Sequence, residues 1–230
     1  MTEKIIPEHI GYIVDGNRRW AKKHGLPSYE GHLAGYNALQ EIISATFERG
    51  VKYISAYVFS TENWKRSKSE VEKFMSLVLR SFTSDLHIFE ENNVRLLVMG
   101  SRENIKDSIL KAIDNAENKT ANNTGGTFAV CFNYGGQQEI VDTVKKIIDS
   151  GVPTDDISVD LINQNLYHPE IPPLDLLVRT SGEKRISNFM LWRCAYSEIM
   201  FIDKLWPDLT KDDVTKIIDQ YSLRARRFGG

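Results

Sequence analysis

Four short segments carry most of the residues suited to gripping an anion: Asp15-Gly16-Asn17-Arg18-Arg19-Trp20, Ser60-Thr61-Glu62-Asn63-Trp64-Lys65-Arg66, Asn133-Tyr134-Gly135-Gly136 and Arg179-Thr180-Ser181-Gly182-Glu183-Lys184-Arg185. Arg18, Arg19, Arg66, Arg179 and Arg185 are permanently charged planar forks that match phosphate oxygens. Several of them converging implies more than one phosphate. Asp15 in their midst would repel phosphate unless it held Mg²⁺, a hard ion commonly bound by one or two carboxylates plus substrate phosphate oxygens. Gly16 permits a tight turn, and a helix starting near Asn17 aims free N–H groups and a positive dipole end at the same place. Taken singly, each feature has a plainer reading. Asp15-Gly16 is then a turn, Arg18, Arg19, Lys22 and Lys23 a solvated helix face, His32 after Gly31 a helix cap, and Trp20, Trp64 and Trp206 core residues. Only their joint occurrence points to a protein that handles a diphosphate.

The elements that must bring these segments together are legible as apolar runs. Strands are expected at Ile10–Val14, Tyr53–Phe59, Val94–Met99, Thr127–Asn133, Leu174–Arg179 and Ile199–Ile202. Helical stripes fall between them: Leu39, Ile42, Ile43 and Phe47; Ile105 to Ala116, with Ser101 as its cap; Ile140, Val141, Val144 and Ile148; Val214, Ile217, Ile218 and Tyr221. Strands too apolar to have a wet face, alternating with helices, predict a mostly parallel six-stranded α/β sheet covered on both sides. In such a sheet ligands bind beyond the carboxyl ends of the strands, and the polar segments stand at those ends. Glu70–Glu91 reads as one helix apolar on more than one side, which requires a second apolar neighbour: a partner subunit, a long hydrophobic ligand or deep burial.

Length and composition narrow the classes further. With 230 residues, 41% of them hydrophobic, the chain suits a single domain over 1–230. A net charge of −2 gives no global reason to expect nucleic acid as a partner. Cys131 and Cys194 lie in apolar stretches and read as buried thiols of a reducing cytosol. No stretch approaches the ~20 apolar residues that span a bilayer, which leaves contact with a membrane surface open.

The residues also resemble a known family. His9-Ile-Gly-Tyr-Ile-Val-Asp15-Gly-Asn-Arg-Arg-Trp-Ala-Lys22 is similar to the first signature of the cis-prenyltransferases, to which bacterial undecaprenyl diphosphate synthases belong. Gly31-His32, Phe59 to Trp64, Asn133 to Gly136, Arg179 to Phe189, Tyr196-Ser-Glu198, Leu205-Trp-Pro-Asp208 and Arg226 to Gly230 match in order, almost end to end. The resemblance implies a Mg²⁺-dependent transferase that condenses isopentenyl diphosphate with an allylic diphosphate, in a cytoplasmic homodimer that touches the membrane's inner face to release product. It implies a hydrophobic tunnel beside the sheet, next to Glu70–Glu91. It casts Asp15 and Asn63 as catalytic, and Asp15 with Glu198, from across the dimer, as metal-associated. Gly16, Asn17, Arg18, Arg19, Trp20 and His32 fall to the allylic diphosphate. Ser60, Glu62, Trp64 and Arg66 order the incoming unit, Arg179, Arg185 and Ser187 hold isopentenyl diphosphate, and the substrate-binding Arg227, with Gly229, belongs to a C-terminal element that completes the partner's active site.

Some positions depart from the pattern. Ser28 stands where bacterial members usually carry an arginine, Arg18 replaces a frequent glycine, Ser67 a proline, and Val58 occupies a small-residue position at the tunnel entrance. The implied product is undecaprenyl diphosphate, a cell-wall carrier, with a shorter cis-prenyl diphosphate as the alternative. A non-catalytic partner subunit is a third reading, disfavoured because Asp15, His32 and both arginine loops are retained.

Overall fold

The structure is a computed structural model that describes residues 4–224. Its elements run β1 (His9–Ile13), α1 (Asn17–Lys23), α2 (Ser28–Glu48), β2 (Tyr53–Ser60), α3 (Lys68–Ser81), α4 (Leu86–Glu91), β3 (Val94–Met99), α5 (Asp107–Thr120), β4 (Gly126–Tyr134), α6 (Gly136–Asp149), α7 (Val159–Asn165), β5 (Leu176–Arg179), β6 (Glu198–Phe201) and α8 (Lys211–Ser222), with a 3₁₀ turn at Thr61–Lys65. The six strands form one sheet in the order β3-β4-β2-β1-β5-β6, and every pairing is parallel. The expected α/β class and strand count therefore hold.

Both faces of the sheet are buried, as parallel pairing requires. Ile10 and Tyr12 of β1 join a large core with α2, α3, α4, α5 and α8. The alternate residue Ile13 packs into a second cluster with Tyr57, Leu177, Phe189 and Met190. Gly11 belongs to that side, where a Cβ would sit 2.8 Å from Leu174 and 2.9 Å from Phe189. A polar knot completes the second side. Glu139, fully buried on α6, receives Arg193 Nη1 at 2.6 Å and the Tyr134 hydroxyl, while Arg193 Nη2 donates to the Tyr167 carbonyl at 2.6 Å.

The topology places the site. The connection from β1 runs toward β2 and the one from β5 toward β6, so the chain leaves these neighbouring strands in opposite directions and opens a crevice at their carboxyl ends. Register pairs Ile13 with Arg179, so Asp15 and the Arg179–Arg185 loop meet there.

Four expectations need correction. Glu70–Glu91 is two helices, broken at residues 82–85. Helix α5 starts at Asp107 after Lys106, and Ser101 instead accepts the Glu103 N–H in a turn. The α6 stripe points outward: Val141, Val144 and Ile148 are exposed, while Gly136, Glu139, Thr143 and Ile147 face the protein. The buried polar knot claims the inner face of that helix, so periodicity alone named the wrong side. Cys131 is fully buried, as expected, whereas Cys194 is half-buried.

Burial of His9 has a pH consequence. Its Nδ1 lies 2.8 Å from the Pro172 carbonyl and so carries the proton, leaving Nε2 to accept from Ser55 Oγ at 2.8 Å. Burial is the largest influence and lowers its pKa to about 4. An unfolded histidine protonates near 6.5, so between these values the unfolded chain binds more protons and stability falls with pH. His32, also lowered by burial, acts in the same direction. His168, raised because Glu117 outweighs burial, adds stability that is lost only as pH climbs above 6.5. Urea unfolding is expected to show a loss of about 2–3 kcal/mol between pH 7 and pH 4.5; equal stability at both would refute the burial argument.

Candidate functional site

Backbone first fixes Asp15. Its N–H donates to the Ile13 carbonyl at 2.9 Å, and its own carbonyl accepts from Thr180 Oγ1 at 2.6 Å and from the Trp206 N–H at 3.0 Å. Gly16 follows at φ 114°, where a Cβ would press on the Leu205 backbone at 3.0 Å, so only glycine fits comfortably. Trp206 is buried and donates its indole N–H to the Gly35 carbonyl at 2.9 Å, which ties the Asp15 turn to α2. Gly31 and Gly35 let α2 lie against Asn17, since a Cβ on either would reach an Asn17 oxygen within 2.4 Å.

The charged groups then converge. Arg179, buried at the end of β5, donates to Asp15 Oδ2 at 2.8 Å and to the Arg185 carbonyl and Ser187 Oγ at 2.7 Å each. Arg19 lies 3.5 Å from the same Asp15 oxygen and donates to the Ser181 carbonyl at 3.0 Å. Burial pushes the Asp15 carboxyl up, but Arg179, with Arg19, outweighs it and holds the pKa below the ordinary carboxylate value. Asp15 is therefore an anion at neutral pH. Glu70 is the centre of a second group, its Oε1 lying 3.4 Å from Arg66, 3.6 Å from His32 and 3.8 Å from Arg18.

Asp15, Arg18, Arg19, His32, Arg66, Arg179 and Ser187 line a cleft of about 1150 Å³, with Glu70 behind its wall. Its walls hold five cationic side chains, Arg18, Arg19, Lys22, Arg66 and Arg179, against the carboxylates of Asp15 and Glu62. Gly16, Asn17, His32, Ser60, Asn63 and Ser187 also line it. An excess of cations in a walled recess attracts and concentrates anions. Ser181, Ser187 and Asn188 have positive φ values, and Asn133 lies just behind at φ 50°; unusual backbone of this kind gathers at functional sites.

At the cleft's inner end the lining turns apolar. Val14, Asn17, His32, Val58 and Phe74 border both the cleft and a cavity of about 70 Å³ enclosed by α2, α3 and the sheet. Irregular pairing of β2 with β4 beside Val58 aims this stretch at the neck. His32 is buried and neutral, and neither of its ring nitrogens has a hydrogen-bond partner among the described residues; the same holds for Asn17 Oδ1. Unsatisfied buried polar atoms at a neck are ready to serve a ligand.

Not every candidate joins the wall. Trp64 donates to Asn133 Oδ1 at 2.7 Å, and Trp20 to Asp208 Oδ1 at 2.8 Å, so both brace loops. Arg185 offers its carbonyl to Arg179 and turns its side chain to Glu183. Glu198 begins β6, in register with Leu176 and Ile10 at the opposite end of the sheet from Asp15, and pairs with Arg224 at 2.8 Å. Arg227 lies outside the described residues. Glu70 escaped the sequence reading because Ser67-Lys68-Ser69-Glu70 reads as a helix-capping pattern; Ser67 does cap α3, while the Glu70 side chain turns to the arginines.

The fold and the site define an α/β protein with a cation-rich cleft beside an apolar recess. Residues 13–229 match the family model described as putative undecaprenyl diphosphate synthase. The chain is 44% identical over 227 residues to an isoprenyl transferase of Thermotoga maritima, covering 98% of this chain and 97% of that one, and 43% identical over 228 residues to an isoprenyl transferase of Fusobacterium nucleatum, covering 99% and 98%. Among solved structures it is similar to lavandulyl diphosphate synthase from Lavandula x intermedia in complex with dimethylallyl diphosphate, with TM-score 0.94 and 32% identity over 98% of this chain and 99% of that one. It also matches a probable undecaprenyl diphosphate synthase from Campylobacter jejuni, with TM-score 0.83 and 32% identity over the whole of both chains. The chain belongs to the cis-prenyltransferase family.

Proposed function

We propose that this protein condenses isopentenyl diphosphate with an allylic isoprenoid diphosphate, repeatedly and with cis geometry, to make undecaprenyl diphosphate as a cell-wall carrier lipid. The observation that carries this reading is the cation-rich cleft whose inner neck opens on an apolar cavity, because the substrate has the same two halves. Arg18, Arg19 and Arg66, with Asn17, His32 and the Gly16 backbone, hold the allylic diphosphate. Arg179, with Ser187, holds isopentenyl diphosphate, while Ser60, Glu62 and Asn63 keep it in place beside the allylic carbon; Trp64 and the Arg185 carbonyl brace these loops, and the C-terminal Arg227 completes the partner's site.

Asp15, a cleft carboxylate flanked by arginines, suits Mg²⁺ that arrives with the diphosphate, and the described residues contain no group of three acidic, histidine or cysteine side chains that would cage a metal alone. Asp15 would hold the ion, joined by Glu198 of a second copy; when bound it neutralises charge on the departing diphosphate. The guanidinium groups stabilise that same charge as the allylic C–O bond breaks and its electron pair leaves with the diphosphate. The isopentenyl double bond attacks the freed carbon, and transfer of a proton from the added unit to the departed diphosphate restores a double bond. The growing chain enters the apolar side of the neck, where each added unit buries more surface.

A homodimer fits the outward α6 stripe and the exposed Ile199 and Phe201 of edge strand β6. In this reading the reaction runs in the cytoplasm and product passes to the inner face of the membrane. No helix among the described residues is long and apolar enough to cross a membrane. A second reading, a short-chain cis-prenyl diphosphate synthase, is favoured by Val58 at the neck and by the close likeness in shape to the lavandulyl enzyme. Labelled isopentenyl diphosphate and primers of several lengths, incubated with the protein and Mg²⁺ and then sized, test both. Product of about eleven units supports the first reading and of two to four the second; no incorporation removes both.

A further inference from the structure

The apolar cavity has a polar fastening in its wall. Tyr36 and Gln40 of α2 and Ser81 of α3 line it among otherwise apolar neighbours. The Tyr36 hydroxyl donates to Asp85 Oδ2 at 2.8 Å, Arg80 Nε donates to the same oxygen at 2.9 Å, and Gln40 Nε2 donates to the Tyr36 oxygen at 3.1 Å. The Arg80 guanidinium also lies 5.9 Å from the centre of the Tyr36 ring. Asp85, only 7% exposed, sits in the break between α3 and α4. An ion beside a lipid-like cavity is costly to bury and persists only when its partners satisfy it. Here those partners join the α3–α4 break to α2.

Volume shows what the fastening restrains. A cavity of about 150 Å³ takes up one benzene, so about 70 Å³ accommodates roughly three carbons, less than one isoprene unit. Beyond it, toward the far end of α2, lies a separate cavity of about 280 Å³. Gln40, Ile43 and Phe89 border both, so the partition between them is thin. Phe82 and Phe89, on either side of Asp85, line the first cavity, and Phe89 also lines the second. The sheet wall is fixed by its pairing, and α2 is held through Gly35 by Trp206. The α3–α4 break is therefore the wall that must yield to a longer chain.

We infer that the Tyr36–Asp85–Arg80 fastening sets the length of the product, by holding Phe89 in the partition between the first apolar cavity and the second. These are positioning residues, and the inference rests on the prenyltransferase reading above. Released, the break moves outward, the cavities join, and a chain elongates further before it meets a closed wall.

Tyr36→Phe removes one oxygen and Asp85→Asn one charge, so both keep side-chain shape; Phe89→Ala opens the partition directly. Each variant is incubated with labelled isopentenyl diphosphate, an allylic primer and Mg²⁺ beside the unaltered protein, and products are sized. The expected result is a shift of the main product by at least two five-carbon units for both fastening variants, in the same direction as Phe89→Ala. A fastening that served stability alone would lower the melting temperature and leave product length unchanged. Unchanged or shorter products from both variants, with the unaltered protein elongating normally, overturn this inference and spare the prenyltransferase reading. No incorporation by the unaltered protein overturns both.

Discussion

Replacing Asp15 with alanine is expected to cut turnover by about 10³-fold while leaving the chain folded and its grip on metal-free inorganic pyrophosphate equal or tighter. The two halves of this expectation have one cause. Asp15 lies 2.8 Å from Arg179 and 3.5 Å from Arg19, and these arginines keep it ionised. Removing it takes one negative charge from a wall already rich in cations, which favours an anion in the ground state. It also removes the group that would hold Mg²⁺ against that anion, and so the stabilisation of charge developing as diphosphate departs. Steady-state incorporation and pyrophosphate titration together check it. Turnover within tenfold of the unaltered protein would contradict the role given to Asp15, and pyrophosphate binding weakened a hundredfold would make Asp15 an architectural residue of the cleft.

The second large effect is on stability. Glu139→Gln is expected to cost about 3–5 kcal/mol, because it leaves Arg193 charged and unpaired in the interior. The pair is 2.6 Å apart with both side chains almost wholly buried, and Arg193 also donates to the Ile171, Tyr167 and His168 carbonyls. It thereby closes residues 167–171 onto the segment that carries Phe189 and Met190 into the second core. Ser187, the partner of Arg179, lies just before that segment. Replacing both members, as Glu139→Leu with Arg193→Met, is expected to cost less than the single change. Urea midpoints of the three proteins decide the matter; a single change costing under 1 kcal/mol would mean that the pair contributes little.

Much of this architecture can be read directly from residue order. Strand runs such as Tyr53–Phe59 and Val94–Met99 are short, β-branched or aromatic and bounded by polar turns, so their positions emerge within a residue or two. The polar segments that follow them meet because parallel strands place their ends on one edge. Less legible is whatever depends on partners distant in sequence. The break at residues 82–85 contains neither glycine nor proline, and its Asp85 is anchored by Tyr36, 49 positions away. The α6 stripe faces outward because Glu139 answers to Arg193, 54 positions on. Glu70 carries a local capping pattern that masks its pairing with Arg66 and His32. Glu198 is the reverse case. A family motif marks it, yet the fold sets it at the far end of the sheet from Asp15, away from the cleft of its own chain.

The most direct measurement is a crystal structure with Mg²⁺ and a non-hydrolysable thio-diphosphate analogue of an allylic substrate. The account predicts phosphate oxygens among Gly16, Arg18, Arg19 and Arg66, the ion on Asp15, and the first isoprene unit passing between Val58 and Phe74 into a cavity widened by displacement of α3. A diphosphate bound elsewhere, or a hydrocarbon tail lying outside the neck with the 70 Å³ cavity unchanged, would contradict it.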